Sequence, residues 1–395
     1  MSINNLKDFE IEYNVFDKKM WNQGSAGSWC FGSKDGIEYF IKRLEVPRLP
    51  RDNAAQELKE EREIECSNFW DYKNKVFDSL KGSTGGNGNL LVPIDWGYGT
   101  SKFFYIISVK ADNVENNDFS ILSNLSDKDF LITLRVVCYN IKRIHDAGIV
   151  HGDLKPYVSE YDTGNIILSK AMNEEGLPRL RIIDFDDSFV SGNPLPYDQT
   201  GGTSEYKSPE LMKYTSGNYD ARCLNTKSDI FTLGLIFYQY STNNAYPITK
   251  VPLPNGYYNA LHYINDGNKF DLEISERPYM SSIINKMLSI NPNDRPDLSE
   301  IMDEIDEKLR EMNGEDIVNV PNHIDLTEDM SNDIRDKNKE IIENAKMTLD
   351  ETIDDFDELD ESIDKSIDDI DETEEKLDIL GLVIENEKIE IEKNY

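Results

Sequence analysis

The hydrophobic pattern of this chain changes period part-way along, and that change constrains the fold more than any other feature. From about Ile11 to Val109 short apolar runs alternate with turn formers: Gly24, Gly27 and Gly32, then Asp35-Gly36 ahead of Tyr39-Phe40-Ile41. Such punctuation predicts antiparallel strands. One segment, about Asn53 to Leu80, breaks the pattern, with Leu58, Phe69, Tyr72 and Val76 at spacings of eleven, three and four, which predicts a helix. The run Gly82 to Gly88 that follows lacks the Gly-Lys-Ser/Thr ending of a P-loop and is read as a connection. From Asp127 onward the helical period dominates, around Phe130 to His145, Ser228 to Ser241 and Pro278 to Leu288. Strands followed by helices, rather than alternating with them, predict an α+β fold with a β-rich unit ahead of an α-rich one.

Charge divides the chain a second time. Of a formal net charge of -34, residues 321–395 carry -19, from 27 Asp/Glu against 8 Lys/Arg. Within this tail Ile342, Ala345, Leu349, Ile353, Phe356, Leu359, Ile363, Ile367 and Ile370 step by three or four. An acidic amphipathic helix or coiled coil is expected, its apolar stripe covered by the rest of the chain or by another chain, a partner or a second copy. So acidic a chain repels nucleic acid and anionic membrane surfaces, and no Lys/Arg cluster reverses this. No apolar run approaches the roughly 20 residues of a membrane helix. The N-terminus, MSINNLKDFEIEY, has no secretory pattern. Cys30, Cys66, Cys138 and Cys223 lie far apart without metal-ligand spacing, as expected of buried free thiols in a reducing, cytoplasmic compartment.

Three segments carry the chemistry: His151-Gly152-Asp153-Leu154-Lys155-Pro156, then Gly164-Asn165-Ile166-Ile167-Leu168, then Ile182-Ile183-Asp184-Phe185-Asp186. In order and type they resemble the catalytic loop and metal-binding loop of the protein kinase superfamily. Further pieces follow in that family's order: Gly202-Thr203-Ser204-Glu205-Tyr206-Lys207-Ser208-Pro209-Glu210, Ser228-Asp229-Ile230-Phe231-Thr232-Leu233-Gly234, and Asn293-Asp294-Arg295-Pro296. Upstream, Ile41-Lys42 resembles the strand lysine, and Asn22 to Trp29 resembles the glycine-rich loop with two of its three glycines retained. The resemblance spans about Phe9 to Arg310.

The resemblance implies a bilobal kinase-like domain over residues 1–312, with a β-rich N-lobe to about 109, an α-rich C-lobe over 112–312 and a hinge near Ile107 to Asp112. Residues 313–395 form the acidic helical tail. It further implies ATP and magnesium, in two ions, as cofactors and a Ser/Thr-bearing protein as substrate. Asp153 would accept the substrate hydroxyl proton and Lys155 would reach the transferring phosphate. Asp184 and Asn165 would hold the metal, while Lys42 and the backbone of Gly24, Ser25, Ala26 and Gly27 would hold the phosphates. A helix glutamate should pair with Lys42. Glu61 and Glu65 share the face of Leu58 and Phe69, and Glu65 is preferred because Phe69 lies one turn on. Glu210 with Arg295 and Asp229 with the catalytic-loop backbone are implied as scaffold contacts.

The chain also departs from the family. Gly152 stands where many kinases carry the Arg that reads an activation-loop phosphate, Ser208 where Ala is usual, and Asp186 where the metal-binding loop has Gly. Twelve positions, instead of five, separate Asp153 from Asn165, so the insertion Tyr157 to Thr163 must bulge, with Gly164 turning the backbone back. The same short motifs occur in aminoglycoside- and choline-type phosphotransferases, which would take a small alcohol as acceptor. A catalytically silent kinase fold acting as a binding module is the third reading.

Overall fold

The computed structural model describes residues 10–11, 22–23, 27–84, 88–99, 101–111, 120–156, 164–172, 176–243, 247–248, 252–253, 256–257 and 259–313. The acidic tail, Gly24 to Ala26 and the insertion 157–163 lie outside these. Strands β1 (Glu10–Ile11), β2 (Asn22–Gln23), β3 (Gly27–Lys34), β4 (Ile37–Leu44), β5 (Asp95–Tyr98) and β6 (Phe104–Val109) build one antiparallel sheet. Its order is β1-β3-β4-β6-β5, with β2 also on β3. β3 and β4 pair along their full length and turn at Asp35-Gly36, both with positive φ, the geometry that makes Asp-Gly a two-residue hairpin sequence.

Period-two alternation lets this sheet bury both faces. Cys30, Tyr39, Ile41, Tyr105 and Ile107 pack on one side, while Leu44, Phe104 and Ile106 face helix α1 (Gln56–Thr84). The Phe69 ring meets Phe104 edge-on at 5.1 Å. The predicted helix is thus present, but its face is set by Cys66, Phe69, Lys73, Val76, Phe77 and Leu80 rather than by Leu58, which is exposed. At 29 residues the helix is about 43 Å long, so its first turns extend past the core.

The second half is helical: α2 (Ser120–Ser123), α3 (Asp127–Asp146), α4 (Pro209–Thr215), α5 (Lys227–Ser241), α6 (Ala260–Asn265), α7 (Ser281–Met287) and α8 (Leu298–Asn313). Ser126 caps α3 by accepting from the Asp129 N–H at 3.1 Å, a contact worth about 1 kcal/mol. The helix then buries Phe130, Leu134, Val137, Ile141 and Ile144 at helical spacing. Ser208 caps α4 in the same way, which accounts for Ser where Ala is usual. α5 is apolar almost all round and buried, so it is the axis of this lobe. Between α3 and α4 run β7 (Ile149–Val150), β8 (Ile166–Met172), β9 (Pro178–Ile182) and β10 (Phe189–Val190), paired β7 with β10 and β8 with β9. The strand pair β7–β10 and the hairpin β8–β9 carry the chemistry-bearing segments.

Cys30, Cys66 and Cys138 are buried thiols outside any disulfide, whereas Cys223, expected to be buried as well, is exposed in the turn before α5. Among the described residues no helix is long and apolar enough to cross a membrane.

Candidate active site

Asp153 follows β7 in a turn that Asp229 of α5 holds from below. The Asp229 carboxylate accepts from the backbone N–H of His151 at 2.8 Å and of Gly152 at 3.1 Å, and contacts His145 Nε2 at 2.9 Å. His151 is fully buried against Phe185, with ring centroids 5.0 Å apart and Nε2 at 3.0 Å from the Ile183 carbonyl. Burial pushes its pKa below the usual histidine value, so it serves as a neutral spacer between the two loops.

The insertion does not separate Asn165 from Asp153. Both Asn165 and Ile166 donate their backbone N–H to the Lys155 carbonyl, at 2.9 and 3.0 Å, and Gly164 makes the return turn with φ 73°. The Asn165 amide nitrogen then donates to the Asp153 carbonyl at 2.6 Å and to Asp153 Oδ2 at 3.0 Å. Its side-chain oxygen is left as a donor atom of the kind a hard divalent cation takes. On its other side Asp153 Oδ1 accepts from the Thr203 N–H at 2.6 Å, tying this carboxylate to the segment that leads into α4. Lys155 lies two residues on, partly exposed.

A second cluster forms where β4 meets the loop after β9. Lys42 Nζ lies 3.1 Å from Asp184 Oδ1 and 2.5 Å from Asp186 Oδ2. Asp184 has φ 65°, a left-handed conformation that Asp tolerates better than most residues, and its side chain keeps 31% of its surface accessible. Loss of water and the adjacent Asp186 charge push its pKa well above the carboxylate range. Burial alone would raise Asp186 too, but the Lys42 ammonium overcomes it and holds this carboxyl low and ionised. Asp187, the next residue, is pushed up to about 6 by burial and by Asp186 and Asp153; its Oδ1 accepts from the Gly201 N–H at 3.1 Å.

This arrangement of a strand lysine, two loop carboxylates and a catalytic-loop Asp–Asn pair is accompanied by a match to the family model described as protein kinase domain, over residues 93–305, more than half of the chain. This chain belongs to the protein kinase family. Its β-rich and helical parts are the two lobes of that fold. Similar curated proteins include the eIF-2-alpha kinase of Arabidopsis thaliana, 24% identical over 75% of this chain and 25% of that protein. A putative serine/threonine-protein kinase of Acanthamoeba polyphaga mimivirus is 31% identical over 41% of this chain and 50% of its own length. The serine/threonine-protein kinase Nek1 of Mus musculus is 25% identical over 71% and 20%. The kinase therefore spans between a fifth and a half of the length of these relatives.

Within the kinase, Lys42, Asp153, Asn165 and Asp184 fall into these two adjoining clusters, and Gly27 opens β3 opposite Leu44. Gly24, Ser25 and Ala26 lie outside the described residues, between Gln23 and Gly27, whose strands pair. Glu65 is placed differently from the expectation. It pairs with Arg62 at 2.9 Å on α1, immediately before the buried face begins at Cys66, and the carboxylates on Lys42 come from Asp184 and Asp186. Asp186 is the carboxylate that replaces the loop's Gly, as the sequence marks, whereas no motif marks Lys73 or Asp187. Lys73 could have been found, because a Lys flanked by Phe69 and Phe77 at i±4 sits on the helix's apolar stripe.

Proposed function

We propose that the chain is an ATP- and magnesium-dependent protein serine/threonine kinase, with a catalytic domain over residues 1–312 and an acidic helical tail over 313–395 that associates with a partner or a second copy. The observation that carries this reading is the double tether of Asp153. One carboxylate oxygen is held by Asn165 and the other by the Thr203 N–H, at 3.0 and 2.6 Å, so its orientation is fixed before a substrate arrives. Glu210, Arg295 and the α4–α6 region support a protein rather than a small alcohol as acceptor, since they build a substrate-side lobe against the segment that Asp153 holds.

In this reading Asp153 aligns the substrate hydroxyl and takes its proton, a contribution of order 10² to 10⁴ in rate. Lys155 places a positive charge beside the transferred group. Lys42 and the Gly24 to Gly27 segment would hold the phosphates, and Asp184 with the Asn165 side-chain oxygen would hold the metal. Magnesium-ATP, when bound, supplies the γ-phosphoryl group and the cation that balances its charge.

The test is phosphate transfer from radiolabelled ATP by the purified chain and by Asp153→Asn, offered a protein mixture beside small amino alcohols. Label on protein Ser or Thr, lost at least a hundredfold in the variant, is expected. Label confined to the alcohols would favour a small-molecule phosphotransferase, and an Asp153→Asn variant of near-normal rate would refute the assignment of the base.

A further inference from the structure

Lys42 is held by a carboxylate from the wrong element for its family. In protein kinases the strand lysine pairs with a glutamate of the following helix, and that pair must form for activity. Here Glu65 is engaged with Arg62 and partly exposed. The shortest contact of Lys42 is to Asp186, at 2.5 Å, against 3.1 Å to Asp184. Asp186 occupies the position where the family's metal-binding loop has Gly, and its side chain is 6% exposed.

The helix contributes a cation instead. Lys73, in the middle of α1, is 1% exposed, and its Nζ donates to the backbone carbonyl of Asp186. Its ammonium lies near the Phe69 and Phe77 rings, at 5.6 and 5.8 Å from their centroids. Burial lowers the Lys73 pKa, and Lys42 lowers it further, while Asp187, Asp186 and Asp184 act against both and favour the ammonium. A buried ammonium in a helix core is costly unless it meets acceptors and opposite charge. The aspartates of the loop supply both. The helix-to-site link thus runs with its signs exchanged: the carboxylate is on the loop, and the ammonium that anchors the loop is on the helix.

We propose that Asp186 is a positioning residue for phosphoryl transfer, holding Lys42 in place of a helix glutamate, and that Lys73 is its anchor on α1. The proposal rests on the kinase reading above. It deepens that reading by naming the contact through which a movement of α1 reaches the phosphate-binding lysine.

The experiment uses the full chain and two readouts, equilibrium binding of a fluorescent ATP analogue with magnesium and steady-state phosphate transfer. The variants are Asp186→Asn, Asp186→Gly, Lys73→Met and Glu65→Gln, each checked for a native thermal transition. Loss of one charge-assisted contact predicts that Asp186→Asn and Asp186→Gly weaken nucleotide binding and raise KM for ATP by about 10- to 100-fold. Lys73→Met should act in the same direction, and its effect should shrink once Asp186 is already Gly, as expected of coupled residues. Glu65→Gln should change binding less than twofold. Unchanged binding in both Asp186 variants, or an equal loss in Glu65→Gln, overturns the proposal while leaving the kinase reading intact. Additive effects of Lys73→Met and Asp186→Gly overturn the anchoring role. If Lys73→Met does not fold, the two Asp186 variants decide. A wild-type chain that binds no nucleotide refutes the kinase reading itself, and the proposal with it.

Discussion

Glu210 and Arg295, 85 residues apart, close a two-pronged ion pair at 2.5 and 3.0 Å in which the arginine side chain is wholly buried. The guanidinium also donates to the carbonyls of Ser289 and Lys227, both at 2.8 Å, and stands 4.9 Å from the centre of the Phe231 ring. The pair fastens α4 to the segment before α8. Removing one partner leaves the other charge buried and unmatched, so Glu210→Ala should lower the unfolding free energy by about 3–5 kcal/mol. Urea unfolding followed by tryptophan fluorescence measures this. A loss under about 1 kcal/mol would mean that the carbonyls alone satisfy the arginine.

Asp187 gives stability a pH dependence of unusual sign for a carboxyl. Its folded value of about 6 lies above the unfolded value of about 3.9, so the native state binds the proton more tightly. The group's contribution is fully present below about pH 4 and is lost as pH rises through about 6. The charges around it are Asp186, Asp153, Lys73, Lys42 and, from the segment before α4, Lys207. Asp187→Asn keeps an acceptor for the Gly201 N–H and removes the charge. It should flatten stability between pH 4 and 6 and add on the order of 2 kcal/mol above pH 6. Chemical denaturation at stepped pH tests this, and a variant as pH-sensitive as wild type would contradict it.

Gly27 lies where β3 and β4 come too close for a side chain. A methyl group added there would fall 2.0 Å from the Arg43 carbonyl oxygen, which is backbone and cannot swing aside. Gly27→Ala should cost about 1–3 kcal/mol through forced strand separation. It should also raise KM for ATP several-fold, because β3 leads directly from the proposed phosphate-binding loop. Normal stability with normal KM would show that the strands separate freely here.

A chain ending at Asn313 keeps α8, whose Asp306 pairs with Arg135 of α3 at 2.6 and 3.0 Å. It should bind magnesium-ATP within twofold of the full chain, while light scattering on a sizing column shows a change in association state. Failure of the shortened chain to fold would place part of the acidic tail inside the catalytic domain.

Much of this was legible in the sequence, because the segments that build the two clusters are contiguous and local. Asp153 stands between Gly152 and Pro156 and Asn165 follows Gly164, while Asp184 lies in the unbroken run Ile182 to Asp186 and itself takes the positive φ. The strands were legible from period two and from Asp35-Gly36. What escaped were contacts made across long separations by residues of unexpected charge. Glu65 matched the expected residue type, but the burial boundary on α1 falls after it, and no spacing rule marks where a 29-residue helix leaves the core. Lys73 was overlooked because a lysine on a helix is usually solvated, and its acceptor, the Asp186 carbonyl, is 113 residues away. The ties that Asp153 and Asp187 make to Thr203 and Gly201 use backbone N–H groups, which every sequence offers and none advertises.

The two hydrogen bonds that Asn165 and Ile166 donate to the Lys155 carbonyl join the ends of the insertion to each other. Asn165 takes its position from that junction and from Asp153, not from the number of residues in between. These contacts do not run through residues 157–163, so a chain lengthened within that stretch is expected to keep the Asp153–Asn165 pair, and with it the nucleotide affinity, of the original.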